Sequence, residues 1–299
     1  MQGTVDGFSY GLVTPVAAFI MACLGGALGL RCTTRSLRHR DTFKAGWLAL
    51  GATSIGTGIW TMHFIAMMGF SVRQAPINYD RPITFASLGV AVLMVGIGIF
   101  IVGYRGATAL TLVTGGTITG LGVATMHYLG MAGMRLHGRI EYDTLTVALS
   151  VVIAVVAATA ALWAAVSVHG FLASLGASLV MGGAVSGMHY TAMAAVSVHI
   201  QSAYVPPGTG DTATSLLLPM LIGPAVFLIL AAVVVMFDPL LVMGDPDWQR
   251  PAARNVHRPG VPAPRHVPSY GEPANWTGRS AGRSARRSVP RGGHRSQDW

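Results

Sequence analysis

Apolar residues run through this chain in long blocks, not in the short periodic stretches of a soluble fold. Seven blocks reach the ~20 residues that a helix needs to cross the hydrocarbon core of a bilayer. The pattern places them at roughly 12–30, 47–70, 82–103, 108–134, 144–168, 171–199 and 216–237. All seven are rich in Gly, Ala, Ser and Thr. Small residues let helices approach closely in lipid, where burial of apolar surface does not drive association. The pattern stops after Asp238-Pro239, and residues 245–299 hold many Pro, Arg, Ser and Gly with few aliphatics. Such a stretch cannot bury enough apolar surface to offset its ordering entropy. The expected organisation is a membrane domain over 8–238 and a disordered tail over 239–299.

The polar interruptions of the blocks are not random. One phrase occurs three times: Met62-His63-Phe64-Ile65-Ala66-Met67, Met126-His127-Tyr128-Leu129-Gly130-Met131 and Met188-His189-Tyr190-Thr191-Ala192-Met193. The shared form is Met-His-aromatic-x-small-Met. Glycine-bearing runs precede each copy, and the histidines lie 64 and then 62 residues apart. The copies fall on the second, fourth and sixth blocks. Self-similarity at a fixed period marks an internal repeat. The predicted fold class is therefore all-α integral membrane: seven transmembrane helices built from three two-helix repeats plus one helix. Parallel repeats of this kind are related by an axis along the membrane normal.

Composition agrees. The chain is 52% apolar and 10% charged, against about 25% charged in soluble domains. The net charge of +9 resembles a nucleic-acid signal, but ten of the twenty Lys and Arg follow residue 249. Anionic lipid is the better partner for Arg279, Arg283, Arg286, Arg287 and Arg291, and nucleic acid is not expected. Arg31, Arg35, Arg38, Arg40 and Lys44 follow the first block. Positive residues stay on the cytoplasmic side, so the N-terminus is expected outside and the C-terminus in the cytoplasm. On that map sixteen basic residues lie inside, and Arg73, Arg81, Arg135 and Arg139 lie outside. The three phrases then sit on helices running outwards, with each histidine about seven to ten residues before the outer end. Cys23 and Cys32 form neither a CxxC nor a haem-attachment motif and read as packing residues.

Residues four apart share a helical face. His63 therefore points with Met67, His127 with Met131, and His189 with Met193. Met62, Met126 and Met188 flank the other side. Imidazole with thioether favours copper, above all Cu(I), over hard cations. Zinc through three histidines would leave the methionines unused, and haem needs two histidines facing each other across a porphyrin. Methionine is also a common gap-filler in apolar cores, but a polar residue within the membrane is costly and usually functional. Phe64, Tyr128, Tyr190 and Trp60 read as packing residues. Thr61 and Thr125 are expected to bond backbone carbonyls. His137 and His199 belong near the outer surface, and His39 and His169 on the cytoplasmic side.

Over roughly residues 8–238 the chain resembles the MHYT family of bacterial integral membrane sensors; Met188-His189-Tyr190-Thr191 spells the name. The resemblance implies copper bound by the Met and His of the phrases near the outer face. It also implies sensing of a diatomic gas such as oxygen, CO or NO, with a cytoplasmic output domain. The tail here is too short and too poor in aliphatics to be a cyclase, phosphodiesterase or kinase, so signalling calls for a separate cytoplasmic protein. The expected location is the bacterial plasma membrane. Copper transport or delivery and haem binding are the alternatives. No paired carboxylates, nucleophile-and-base spacing or phosphate loop occur in the blocks, so an enzyme is not expected.

Overall fold

A computed structural model describes residues 5–6, 9–38, 43–72, 77–136, 138–168, 170–200 and 213–237. Among them are seven helices: α1 (Val13–Arg38), α2 (Lys44–Met68), α3 (Arg81–Arg105), α4 (Ala109–Ala132), α5 (Thr144–Ser167), α6 (Phe171–Ala194) and α7 (Ala213–Met236). Six short strands accompany them: β1 (Val5–Asp6), β2 (Ser71–Val72), β3 (Asn78–Tyr79), β4 (Met134–Arg135), β5 (Gly138–Tyr142) and β6 (Val196–Ile200). The expected tail, together with His39, His137 and His169, lies outside the described residues.

Two boundaries differ from the sequence expectation. Helix α1 runs on through the basic segment to Arg38. There the Arg35 guanidinium lies over the Trp47 ring at 5.5 Å, and the Ser36 hydroxyl donates to the Lys44 carbonyl at 3.0 Å. Cationic side chains are also favoured at a helix C-terminus. Helix α6 stops at Ala194, because Val196–Ile200 is taken up by β6. Its β-branched positions suit a strand, and it pairs antiparallel with β5, Gly138 against Ile200 and Tyr142 against Val196.

The strands define the repeat. β1 pairs with β2, β3 with β4, and β5 with β6, all antiparallel. Each repeat is thus strand, helix, helix, strand, closed by its own two-stranded ribbon. One backbone bond recurs at each closure: Ser9 N–H to the Gly69 carbonyl at 3.0 Å, Asp80 to Gly133 at 2.8 Å, and Asp143 to Ala195 at 2.9 Å. At the opposite end of the second and third repeats the chain turns tightly. Gly106 (φ 83°) and Gly170 (φ 93°) adopt left-handed backbone there, a region open to glycine at little cost.

The three pairs form a closed ring: consecutive helices pack together, and α6 returns to α1. Between repeats one glycine of each motif-bearing helix lies against the next descending helix. A Cβ on Gly56 would stand 2.8 Å from the Val92 Cα, and one on Gly120 2.4 Å from the Val155 Cα. A Cβ on Gly182 would fall on Cys23. Helix α7 stands outside the ring on α2 and α1, through Leu28, Cys32, Leu228, Ala231 and Val235.

Six helices are long and apolar enough to cross a membrane: α1, α3, α4, α5, α6 and α7. Helix α2 is the seventh expected span but is less apolar. It is enclosed by α1, α3 and α7, so its many Gly, Ser and Thr meet neighbouring helices instead of lipid. The outward faces carry large apolar side chains such as Leu145 (80% exposed), Val180 (75%) and Ile229 (60%). That surface belongs in lipid, and the molecule is a multi-pass membrane protein.

Aspartates cap two descending helices at the ribbon end. Asp80 accepts from Ile83 N–H at 3.2 Å and from Arg135 at 3.0 Å. Asp143 accepts from the Thr146 hydroxyl at 2.6 Å and its N–H at 2.8 Å. The Ile83 N–H, then the Arg135 side chain, hold the Asp80 carboxyl below its ordinary value. A carboxyl lowered on folding stabilises above its unfolded pKa, and that gain is lost as pH falls through the folded value. Asp80→Asn is therefore expected to lower the melting temperature at neutral pH. The gap from the parent should close as pH drops below the carboxylate range, which thermal melts at stepped pH will show.

Candidate metal centre

Each phrase ends its helix in the same way. His63, His127 and His189 all lie five residues before the last residue of α2, α4 and α6. That is about a turn nearer the end than the sequence suggested, because the helices stop where the ribbons begin. At 1.5 Å per residue the histidines sit ~7.5 Å inside the helix ends. Three parallel helices of one ring, with the same residue at the same depth, bring the three side chains to the axis.

They meet there. The His63 Nδ1 lies 3.1 Å from the His189 Nδ1 and 3.1 Å from the His127 Nδ1, and His189 and His127 stand 3.3 Å apart. The rings cross edge to face at 75–78°. Relative exposures are 1%, 1% and 2%, so water does not solvate these nitrogens. No other cluster of three histidine, cysteine or carboxylate ligands occurs among the described residues.

Protons alone cannot satisfy this triangle. A ring nitrogen either carries hydrogen and donates, or presents a lone pair and accepts. Three atoms with one role each cannot make three complementary pairs; at least one pair is matched donor to donor or lone pair to lone pair. A cation at the centre removes the conflict, since all three nitrogens then present lone pairs. The spacing suits it: two imidazoles on one ion at 2.0–2.1 Å in a tetrahedral arrangement stand about 3.3 Å apart. A porphyrin plane does not fit between nitrogens 3.1–3.3 Å apart.

Most of the expected sulfur ligands are buried on the same helices. Met62, Met126, Met188, Met67 and Met131 are buried, and Met193 is half-buried. Each His ring is held edge to face by the aromatic that follows it: His63 on Phe64 at 4.6 Å, His127 on Tyr128 at 5.0 Å, His189 on Tyr190 at 5.0 Å. Tyr128 is fixed in turn by its hydroxyl contact with Ser150 at 2.7 Å. Trp60 donates to the Thr84 carbonyl and the Ser87 hydroxyl of α3. Thr61 departs from expectation: its hydroxyl is buried with no partner.

Three features of the site escaped sequence reasoning. A second aromatic layer backs the first, with Tyr79 6.0 Å from Phe64 and Tyr142 5.9 Å from Tyr128. The dipeptides Tyr79-Asp80 and Tyr142-Asp143, 63 residues apart, were its signal. Burial pushes both tyrosine hydroxyls above their usual range, and Tyr128 adds to the effect at Tyr142. Gly130 makes room for His63: a Cβ there would stand 2.6 Å from the His63 Nε2. That nitrogen and the His127 Nε2 are buried without partners. The third is His199, placed at the surface as expected but 3.4 Å from Glu141.

The family model of the MHYT repeat, described as a bacterial signalling protein N terminal repeat, matches residues 56–115, 120–178 and 182–244. The chain belongs to the MHYT family. Each match begins on the ring-closing glycine of a motif-bearing helix, Gly56, Gly120 or Gly182. The chain is 38% identical over 207 residues to the bifunctional diguanylate cyclase/cyclic di-GMP phosphodiesterase MucR of Pseudomonas aeruginosa, covering 68% of this chain and 30% of MucR. It is 36% identical over 222 residues to the cyclic di-GMP phosphodiesterase NbdA of the same organism, covering 70% of this chain and 27% of NbdA. The signaling protein YkoW of Bacillus subtilis is 30% identical over 200 residues, 64% of this chain and 24% of YkoW. The chain thus spans less than a third of the length of these curated relatives. No solved structure matches it.

Proposed function

We propose that this chain is the membrane input module of a bacterial signalling system, and that His63, His127 and His189 hold copper near the outer face of the plasma membrane. The observation that carries the reading is the triangle of buried Nδ1 atoms at 3.1–3.3 Å, which a shared cation satisfies and protons do not. The flanking methionines favour Cu(I) over harder ions. When bound, copper supplies a redox centre able to take a diatomic ligand such as oxygen, CO or NO. In this reading the ribbon end faces outwards, which the basic residues of the opposite end favour.

The protein's own residues do the rest. The three imidazoles orient the centre, the aromatics behind them exclude water, and the two helices of each repeat transmit displacement across the bilayer. A change at the triad alters how the motif-bearing helices pack, which biases two arrangements of the ring. Output then belongs to a cytoplasmic effector domain or partner; MucR and NbdA suggest cyclic di-GMP turnover as its class. Transport is disfavoured because, among the described residues, the cavity inward of the triad offers a single soft side chain, Met181.

Elemental analysis tests the assignment. Purified protein should carry copper in preference to zinc, at one ion per chain, with no Soret band in its optical spectrum. Zinc alone, or copper retained equally by a His63/His127/His189 triple alanine variant, overturns it.

A further inference from the structure

Directly inward of the triad lies a cavity of about 50 Å³. Its position follows from helical spacing. Ile55 and Ile59 stand eight and four residues before His63, Thr119 and Val123 eight and four before His127, and Met181 eight before His189. Residues at those intervals share a face with the histidine, one and two turns down, or ~6–12 Å. All six ring helices line the space and α7 does not. The cavity is therefore on the ring axis, on the side away from the ribbons.

Its chemistry restricts what can enter. No charged side chain lines it, and the wall is aliphatic except for the thioether of Met181 and the hydroxyls of Thr33 and Thr119. Both hydroxyls are buried without hydrogen-bond partners. An ion would lose its hydration there with nothing in return. A water molecule needs two to four polar partners, while apolar cavities stay dry and take apolar guests such as xenon. Two hydroxyls in an otherwise aliphatic wall reach only the lower bound for holding a water, and they offer a weak polar contact to one end of a small guest.

We propose that this cavity is a binding site for a small uncharged apolar molecule of diatomic size, taken up from the bilayer and held one to two turns beneath the histidines. It rests on the sensor reading for its purpose, but not for its existence. It gives the triad a reservoir on its inner side, where such gases are concentrated by lipid.

Xenon is the probe. Crystals of the full chain under xenon pressure should show an anomalous peak between Ile59, Thr119 and Ala158. Ala158→Leu fills the space and should abolish the peak; Ala161→Val, a smaller intrusion, should weaken it. Copper content is measured on the same preparations and should stay at the parent level in both variants. Absence of the peak in the parent, at pressures that label other apolar sites, overturns the proposal. Ordered water bonded to the Thr33 and Thr119 hydroxyls in its place does so equally. Xenon binding in a protein that carries no copper would leave the cavity assigned and remove the sensor reading instead.

Discussion

His127→Leu is expected to change stability in opposite directions with and without metal. In metal-free protein the triangle holds at least one mismatched pair of buried nitrogens, and the His127 Nε2 is buried without a partner as well. Leucine removes both problems at similar volume and leaves His63 and His189, 3.1 Å apart, as one donor and one acceptor. Relief of a buried unsatisfied polar group amounts to about 1 kcal/mol, so the metal-free variant should melt higher than the parent. With Cu(I) the order reverses. Disturbing residues that only support a ligand weakens metal binding 10–100-fold, so loss of a ligand should cost at least the upper figure. A ligand at a hundred times its dissociation constant adds about 2.7 kcal/mol, which the variant forfeits. Circular-dichroism melts of chelator-treated and Cu(I)-loaded protein in detergent measure both arms. A shift of the same sign in both would show that the histidines serve packing alone.

Gly120→Val is expected to disable the ring without touching the metal ligands. The new Cβ would meet backbone: the Val155 Cα at 2.4 Å, the Val155 N at 2.7 Å and the Ala154 carbonyl carbon at 2.8 Å. No rotamer change relieves a clash with a neighbouring helix axis, so α4 and α5 must separate. Overpacking costs 1–3 kcal/mol where side chains can yield, and about 3 kcal/mol or more is expected here. Gly89 is the control, being helical and exposed with nothing within 4 Å of an added Cβ. Gly89→Ala should be neutral or raise stability by up to ~1 kcal/mol through helix propensity. Size-exclusion profiles and melts of the two variants separate the cases. Equal behaviour would mean that the repeats do not close through this contact.

The sequence made the repeat, the helices and the histidine cluster legible for one reason. A polar residue in a long apolar block stands out, and three at one depth on parallel helices have to share a level. Composition shows that small residues are abundant, but not which of them touch backbone; Gly56 and Gly120 differ from Gly89 only in three dimensions. The ribbons were missed because strands of two residues, such as Ser71–Val72 and Asn78–Tyr79, have no period to detect. They exist because the ring brings their partners alongside. Helix α2 read as an ordinary span, although its neighbours shield it. The aromatic that follows each histidine was legible as packing, and packing is its role: it fixes the ring whose nitrogen faces the axis.

The placement of α7 divides two properties that the ring alone would unite. In the proposed site the three arms are equivalent: each contributes one imidazole at one depth. As reporters they are not. Helix α7 lies principally on α1 and α2, the arm of His63. Displacement at His127 or His189 must first pass to a neighbouring element, α1, α2 or β3, to reach it. Equivalent substitutions at the three histidines should therefore weaken affinity alike, yet silence the protein to different degrees, with His63 the most severe. A site with threefold ligands would thus have a one-sided outlet.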